Sequence, residues 1–167
     1  MALVDALLPE FDHEIATTRR LLDRLPADRL SWQPHPKSWT LATLSEHIGQ
    51  LGVWGRLTLS QSFVDLETMT RPPDYQPLAS KAALLAHFDT EMAAARAVLV
   101  GRSDAELMAP WTLRRGQQEF FTMPKASCWR TFVMNHLIHH RGQLSVYLRQ
   151  LDVALPSIYG PSADEAI

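Results

Sequence analysis

Apolar residues recur at steps of three and four along several stretches of the chain, which is the spacing of one face of an α-helix. The first stretch carries Phe11, Ile15 and Leu22, with charged residues between them. It predicts a helix that runs to about Leu25, because Pro26 follows and helices usually end before a proline. Helix 1 is therefore expected to bury one face only.

A second helix is predicted to begin near Leu41, with Thr40 as its N-cap. Its apolar stripe includes Leu44, His47 and Leu51, and glycine recurs at every third residue on another face, at Gly49, Gly52 and Gly55. A glycine inside a helix costs about 1 kcal/mol relative to alanine. We therefore expect another backbone to pack closely on the glycine face, as at a contact between subunits.

Residues 63–79 lose the helical periodicity and include Pro72, Pro73 and Pro77. Such a segment predicts a long crossover between helices of a bundle. Ser80 is the expected N-cap of helix 3, and Gly101 is placed to end that helix. The segment from Ser103 to Glu106 has the pattern of a capping box for one short extra turn.

Two short β-like segments, Trp111-Thr-Leu and Glu119-Phe-Phe-Thr, flank a turn at Gly116 and predict a small hairpin. Pro124 is expected to open helix 4, which should run nearly to Pro156. The predicted fold is all-α. It is a four-helix bundle with a long crossover after helix 2 and a small β-hairpin excursion before helix 4. We expect a single domain over residues 1–167, with a C-terminal tail at about 156–167.

Composition excludes several classes of protein. The 16 Lys and Arg residues are nearly balanced by 18 Asp and Glu residues, so the surface does not favour nucleic acid or an anionic membrane. The sequence has no basic leader and no apolar run near the 20 or so residues that cross a bilayer. Its single cysteine, Cys128, cannot form an internal disulfide, and we interpret it as a packing residue. We expect a cytoplasmic protein.

Three histidines are expected to face the core. His136 and His140 are separated by four residues, which places them one turn apart on the same face of helix 4, and His47 lies in the apolar stripe of helix 2. The spacing alone is weak evidence in a chain with seven histidines. A buried imidazole needs a polar partner, and a single divalent metal ion would satisfy all three. The alternative is that they are core residues held by hydrogen bonds.

The remaining histidines and acidic residues do not enter the predicted site. His139 is expected at a helix interface or behind the ligands, and His13, His35 and His87 are interpreted as surface or structural residues. Glu10 and His13 form one ExxH motif, but a di-iron site needs a second motif and helix 4 offers no glutamate. No carboxylate has a spacing that identifies it as a general base, so the catalytic residues are left unassigned.

Two segments, Trp39-Thr-Leu-Ala-Thr-Leu-Ser-Glu-His-Ile and Asn135-His-Leu-Ile-His-His-Arg-Gly-Gln-Leu, resemble the signature helices of the DinB/YfiT-like family. The tail from Pro156 to Glu165 also resembles that of many members, although Asp152 stands where the family often has glycine after helix 4. The resemblance implies a four-helix bundle, commonly a homodimer. It also implies one divalent metal ion per chain, held by a histidine of helix 2 and an HxxxH pair of helix 4, which map to His47, His136 and His140.

The resemblance further implies a small-molecule substrate and a metal-dependent transferase that acts with a low-molecular-weight thiol. Two alternatives stay open, a metal-dependent hydrolase and a metal-binding stress-response protein without catalysis. A third interpretation is an interaction bundle held together by its glycine face. The sequence does not choose among zinc, nickel and iron, because imidazole is a suitable ligand for each of them.

Overall fold

Four long helical segments lie where the sequence predicts them in the computed structural model, which describes residues 1–69 and 75–166. The helices are α1 Leu3–Leu22, α2 Leu41–Ser60, α3 Lys81–Leu99, the short α4 Asp104–Met108, α5 Lys125–Cys128 and α6 His136–Gln150. A π-helical stretch, Trp129–Asn135, joins α5 to α6 in one continuous helical segment. The mostly helical class is thereby confirmed. Both α1 and α2 contact α3 and α6, a pattern that favours the predicted bundle.

Most helix ends follow the predicted capping residues. Thr40 accepts a hydrogen bond from the backbone N–H of Thr43 at 3.1 Å, and Ser80 does the same for Ala83 at 3.2 Å. Helix α1 ends at Leu22 rather than at Leu25. The backbone continues as tighter i to i+3 turns, which frequently close helix ends.

The glycine face of α2 packs on α3 of the same chain. A Cβ atom built on Gly52 would lie 2.5 Å from the carbonyl carbon and oxygen of Glu91, and one on Gly49 would lie 3.3 Å from Cα of Phe88. The expected close approach of another backbone is therefore confirmed. The suggestion that this face joins two subunits is wrong, because α3 already occupies it. The homodimer stays a prediction without support from this face.

The predicted hairpin is part of a three-stranded sheet. Strands β2 Pro110–Arg115 and β3 Gln118–Pro124 pair antiparallel around a turn in which Gly116 adopts a φ of +55°. Strand β1 Phe63–Asp65 adds to β2 in parallel. The hairpin alone was therefore an incomplete prediction. The new strand lies inside the predicted crossover, of which residues 70–74, including Pro72 and Pro73, are outside the described residues.

The last helix ends at Gln150, earlier than the prediction that it runs nearly to Pro156. Asp152 follows with a φ of +57°, the left-handed conformation in which glycine is common after a helix. Aspartate tolerates this conformation better than most residues because its short polar side chain can bond locally. Asp152 is therefore compatible with the backbone conformation that ends this helix. None of the helices in the described ranges is long and apolar enough to cross a membrane.

Candidate metal centre

The three predicted histidines come together between α2 and α6. Each offers one ring nitrogen, and these three nitrogens all lie within 4.8 Å of one another. The ring centroid of His140 lies 4.6 Å from that of His47 and also 4.6 Å from that of His136. His140 is buried, while the other two are half-buried. His136 and His140 lie on one face of α6, as their spacing predicted, and His47 reaches them from the facing helix α2.

One pair of the three nitrogens has the spacing of ligands on a common metal ion. Nε2 of His47 and Nε2 of His136 are 3.4 Å apart. A tetrahedral centre with metal–nitrogen bonds of about 2.0–2.1 Å has ligand nitrogens about 3.3–3.4 Å apart. Nε2 of His140 is buried and has no hydrogen-bond partner within the described ranges. A buried lone pair without a partner is the group that a metal ion would satisfy.

Gln143 fixes the ring of His140. Its Oε1 lies 2.7 Å from Nδ1 of His140, and because an amide oxygen only accepts hydrogen bonds, Nδ1 must carry the proton. The Nε2 lone pair of the neutral ring is then directed away from Gln143 and is free to act as a ligand. Such an outer hydrogen bond is typical of metal-binding histidines.

Burial lowers the pKa of His136 and also the pKa of His140. A hydrogen bond to the backbone of Phe132 partly offsets the effect on His136, and the Gln143 hydrogen bond does so for His140. Both rings therefore favour the neutral form near neutral pH. Only the neutral form has the lone pair that binds a cation.

A tryptophan forms one wall of the cluster. The Trp39 ring stacks on His140 with centroids 5.6 Å apart and an interplanar angle of 28°, and it lies 4.9 Å from the ring of His47. Trp39 precedes the N-cap of α2 and is about half exposed. It therefore separates the ligand nitrogens from solvent on one side while remaining accessible itself.

A buried ion pair sets the position of α6 behind the site. Arg141, the neighbour of His140, is 1% exposed and pairs with the carboxylate of Glu14 from α1 at 2.5 Å. The Tyr159 hydroxyl, from the C-terminal tail, accepts from Arg141 and lies 2.9 Å from both carboxylate oxygens of Glu14. Because breaking such a pair leaves an uncompensated charge, this contact fixes α6 against α1 and holds the tail in place.

The other histidines and the cysteine lie outside the cluster. His139 is exposed on α6, with its ring 4.9 Å from that of His140. His13 and His35 are exposed, and His87 packs against Gly49. Cys128 is fully buried, and burial raises its pKa to about 11. His13, His35 and His87 thus lie where surface or structural residues were expected, whereas His139 is exposed and not buried at a helix interface.

Three cavities are each lined by at least one histidine of the cluster. The first, of about 230 Å³, is lined by polar groups that include Glu46, His47 and Gln50. The second, of about 240 Å³, lies beside His140 and includes Lys37 and Gln143. The third, of about 300 Å³, is lined by His47, His136 and otherwise apolar side chains. The three histidines are thus accessible to small molecules.

The sequence matches the DinB family over residues 2–166. The chain belongs to the DinB family. The resemblance seen in the signature helices is thereby confirmed, and it extends over nearly the whole chain.

Similar proteins confirm the DinB-like fold. An uncharacterized protein, YrdA, of Bacillus subtilis strain 168 is 28% identical over 167 residues, which cover 97% of this chain and 91% of that protein. The crystal structure of a DinB-like protein from Bacillus cereus ATCC 10987 has a TM-score of 0.70 at 24% identity and covers 93% of this chain and 97% of its own. A DinB-like protein of Bacillus subtilis, YjoA, has a TM-score of 0.67 at 17% identity, with coverages of 88% and 92%.

Two residues of this DinB site were not singled out from the sequence. Trp39 and Glu46 appeared there only as members of a signature segment. Glu46 is 8% exposed, and its Oε2 accepts a hydrogen bond from the backbone N–H of Leu78 at 3.3 Å. A carboxylate buried beside a candidate ligand cannot be recognised from periodicity, because position 46 also fits a solvent-facing glutamate.

Proposed function

We propose that this DinB protein binds one divalent metal ion through His47, His136 and His140, on a four-helix bundle of α1, α2, α3 and α6. We further propose that it is a transferase acting with a low-molecular-weight thiol. The observation that carries the proposal is that the three ring nitrogens converge at a point reached by cavities. A closed structural site would have a fourth protein ligand instead, and no cysteine or carboxylate of the described residues joins the cluster.

The cavities differ in a way that suits a reaction between two small molecules. The walls of the cavity beside Glu46 and Gln50 and of the one beside Lys37 mix polar and apolar groups about equally, whereas the wall of the third is almost wholly apolar. His47 lines both the first and the third cavity. A polar thiol and a less polar electrophile can therefore approach the same histidine from two cavities of different character. When bound, a divalent ion lowers the pKa of a thiol so that the nucleophilic thiolate exists at neutral pH.

A hydrolase is the second candidate, and Glu46 is the observation that favours it. Its carboxylate lines the same cavity as His47. A carboxylate close to a metal site is a common acceptor for the proton of an attacking water. The same cavity would then hold the hydrolysed group. The two candidates differ in whether turnover depends on an added thiol.

Metal analysis of the purified protein tests the site. We expect about one divalent ion per chain in the native protein and a clear loss in His136→Ala. His13→Ala is the matched control, because His13 is an exposed histidine on α1. Less than about 0.2 ion per chain in the native protein, with no further loss in His136→Ala, would show that the histidines are core residues.

Turnover of an electrophile with a panel of cellular thiols tests the reaction. We expect the metal-loaded native protein to accelerate the transfer over the uncatalysed rate with at least one thiol, and His47→Ala to abolish the acceleration. Turnover without any thiol would favour the hydrolase instead. Equal rates in the native protein and in His47→Ala would remove both reactions from this site.

A further inference from the structure

The apolar cavity next to the cluster is large enough for an organic group. Its volume is about 300 Å³, which is at the lower end of the range for ligand pockets. An apolar cavity of about 150 Å³ is sufficient to bind benzene. Two histidines, His47 and His136, form one part of the wall. The rest consists of apolar side chains, namely Trp54, Leu66, Trp111, Leu113, Phe121 and Phe132.

The wall is built from elements that are distant in the sequence. Trp111 and Leu113 lie two residues apart on β2, so they point to the same face of the sheet, and Leu113 is paired with Phe121 on β3. Phe132 comes from the π-helical stretch and stacks on Phe121, with ring centroids 5.1 Å apart and planes within 7°. The sheet therefore serves as one wall of the cavity, and helices supply the other.

The apolar wall of the cavity is only partly covered by other protein groups. Trp111 is 1% exposed and anchors a small apolar cluster of its own, separate from the main helical core. By contrast, the other five apolar wall residues are only half-buried, although they pack on that cluster. Rings that line an empty space lose dispersion contacts that an apolar ligand would restore. No Lys, Arg, Asp or Glu side chain of the described residues lines this cavity, so a charged group would lose its hydration without gaining a partner.

We propose that this cavity binds the apolar part of the electrophilic substrate, an aryl or similarly sized hydrocarbon group, and directs its reactive carbon towards His47 and His136. The assignment rests on the proposed transferase function. In the reaction the thiol loses its proton to solvent, and its sulfur forms a bond to the reactive carbon. The bond from that carbon to the leaving group breaks, and the leaving group departs with the electron pair.

The test compares variants that fill the cavity with a variant that does not. Leu113→Trp adds bulk to the cavity from β2, and Leu66→Phe adds it from the residue that follows β1. Phe120→Trp is the matched control, because Phe120 is an exposed residue of β3 that is not part of the wall. Thermal melts followed by circular dichroism identify any variant that has lost its fold. Two filling variants keep the test valid if one of them fails to fold.

Binding of toluene, followed by calorimetry on the chelator-treated protein, measures the cavity without any metal or turnover. We expect one toluene per chain, with the affinity reduced at least about tenfold in a folded filling variant and unchanged in Phe120→Trp. Absence of binding to the native protein, or equal binding in all variants, overturns the proposal. Because the metal is absent, this result does not depend on the proposed function.

Turnover is then measured with 1-chloro-2,4-dinitrobenzene and with iodoacetamide, using the metal-loaded protein and its most effective thiol. We expect a filling variant to lower the ratio of kcat/KM for the aromatic electrophile to that for the small polar one by about tenfold or more. An unchanged ratio, despite weaker toluene binding, would show that the substrate does not use the cavity. Absence of turnover with both electrophiles would instead remove the transferase function, and with it the substrate assignment.

Discussion

The contact between α2 and α3 gives a sharp stability prediction for Gly52→Ala. The new Cβ would lie 2.5 Å from the carbonyl carbon and oxygen of Glu91, whereas ordinary contact begins at 3.4 Å. The helices must therefore separate by up to about 0.9 Å, the difference between these distances. Overpacking of this kind costs about 1–3 kcal/mol, and we expect the upper end because backbone atoms cannot rotate away as a side chain can.

The helix-propensity gain of alanine, about 1 kcal/mol, offsets part of that cost. We expect the free energy of unfolding of Gly52→Ala to fall by about 2 kcal/mol, which lowers Tm by about 4–8 °C in a chain of this size. Gly142→Ala is the matched control, because Gly142 is an exposed glycine inside α6 and its Cβ would meet nothing within 4 Å. It should gain about 1 kcal/mol. Both melts are measured after chelation, and a Gly52→Ala protein as stable as Gly142→Ala would refute the close contact.

Three further predictions concern single side chains. Gln143→Ala should weaken metal binding about 10–100-fold, because His140 loses the acceptor that fixes its ring. Competition with a chelator measures the affinity, and an unchanged affinity would contradict this role of Gln143. Glu14→Ala should lower the free energy of unfolding by about 3–5 kcal/mol in denaturant titrations, because it leaves the buried charge of Arg141 uncompensated. A loss below about 1 kcal/mol would mean that water replaces the pair. The Cys128 thiol, with a pKa of about 11, should react with iodoacetamide at pH 8.5 about 100-fold more slowly in the native protein than in guanidinium chloride, where its pKa is about 8.5. The preference for the neutral thiol stabilises the fold fully below about pH 8.5, and this stabilisation is lost as the pH rises towards 11. Equally fast labelling of Cys128 in the native and the unfolded protein would contradict its burial.

The helices and two of the three candidate ligands follow from local pattern. Helical periodicity fixes which residues share a face, so His136 and His140 could be placed together from their spacing. Capping residues such as Thr40 and Ser80 mark helix starts because they bond the backbone two to three residues away. These features depend on neighbours within one or two turns, and the sequence records such neighbours directly.

Contacts between distant segments could not be derived in the same way. The pairing of Phe63 with Thr112 joins residues 49 positions apart, and neither strand carries a signal for its partner. The glycines of α2 predicted a close backbone but not whether it belongs to α3 or to another chain. His47 was tied to the HxxxH pair only through the family resemblance, because periodicity identifies its face and leaves open which helix that face meets.

The same Gly52→Ala variant also tests what positions His47. Gly52 follows His47 by five residues, which is about 140° around the helix, so the glycine contact and the histidine lie on nearly opposite sides of α2. A push of up to about 0.9 Å from α3 would move His47 relative to His136, whose Nε2 now lies 3.4 Å from its own. Ligand distances in metal sites are set within about 0.2 Å. We therefore expect Gly52→Ala to weaken metal binding as well as stability, measured by competition with a chelator well below its Tm. If stability falls while affinity stays unchanged, contacts of α2 with α6 rather than with α3 hold the histidine in place.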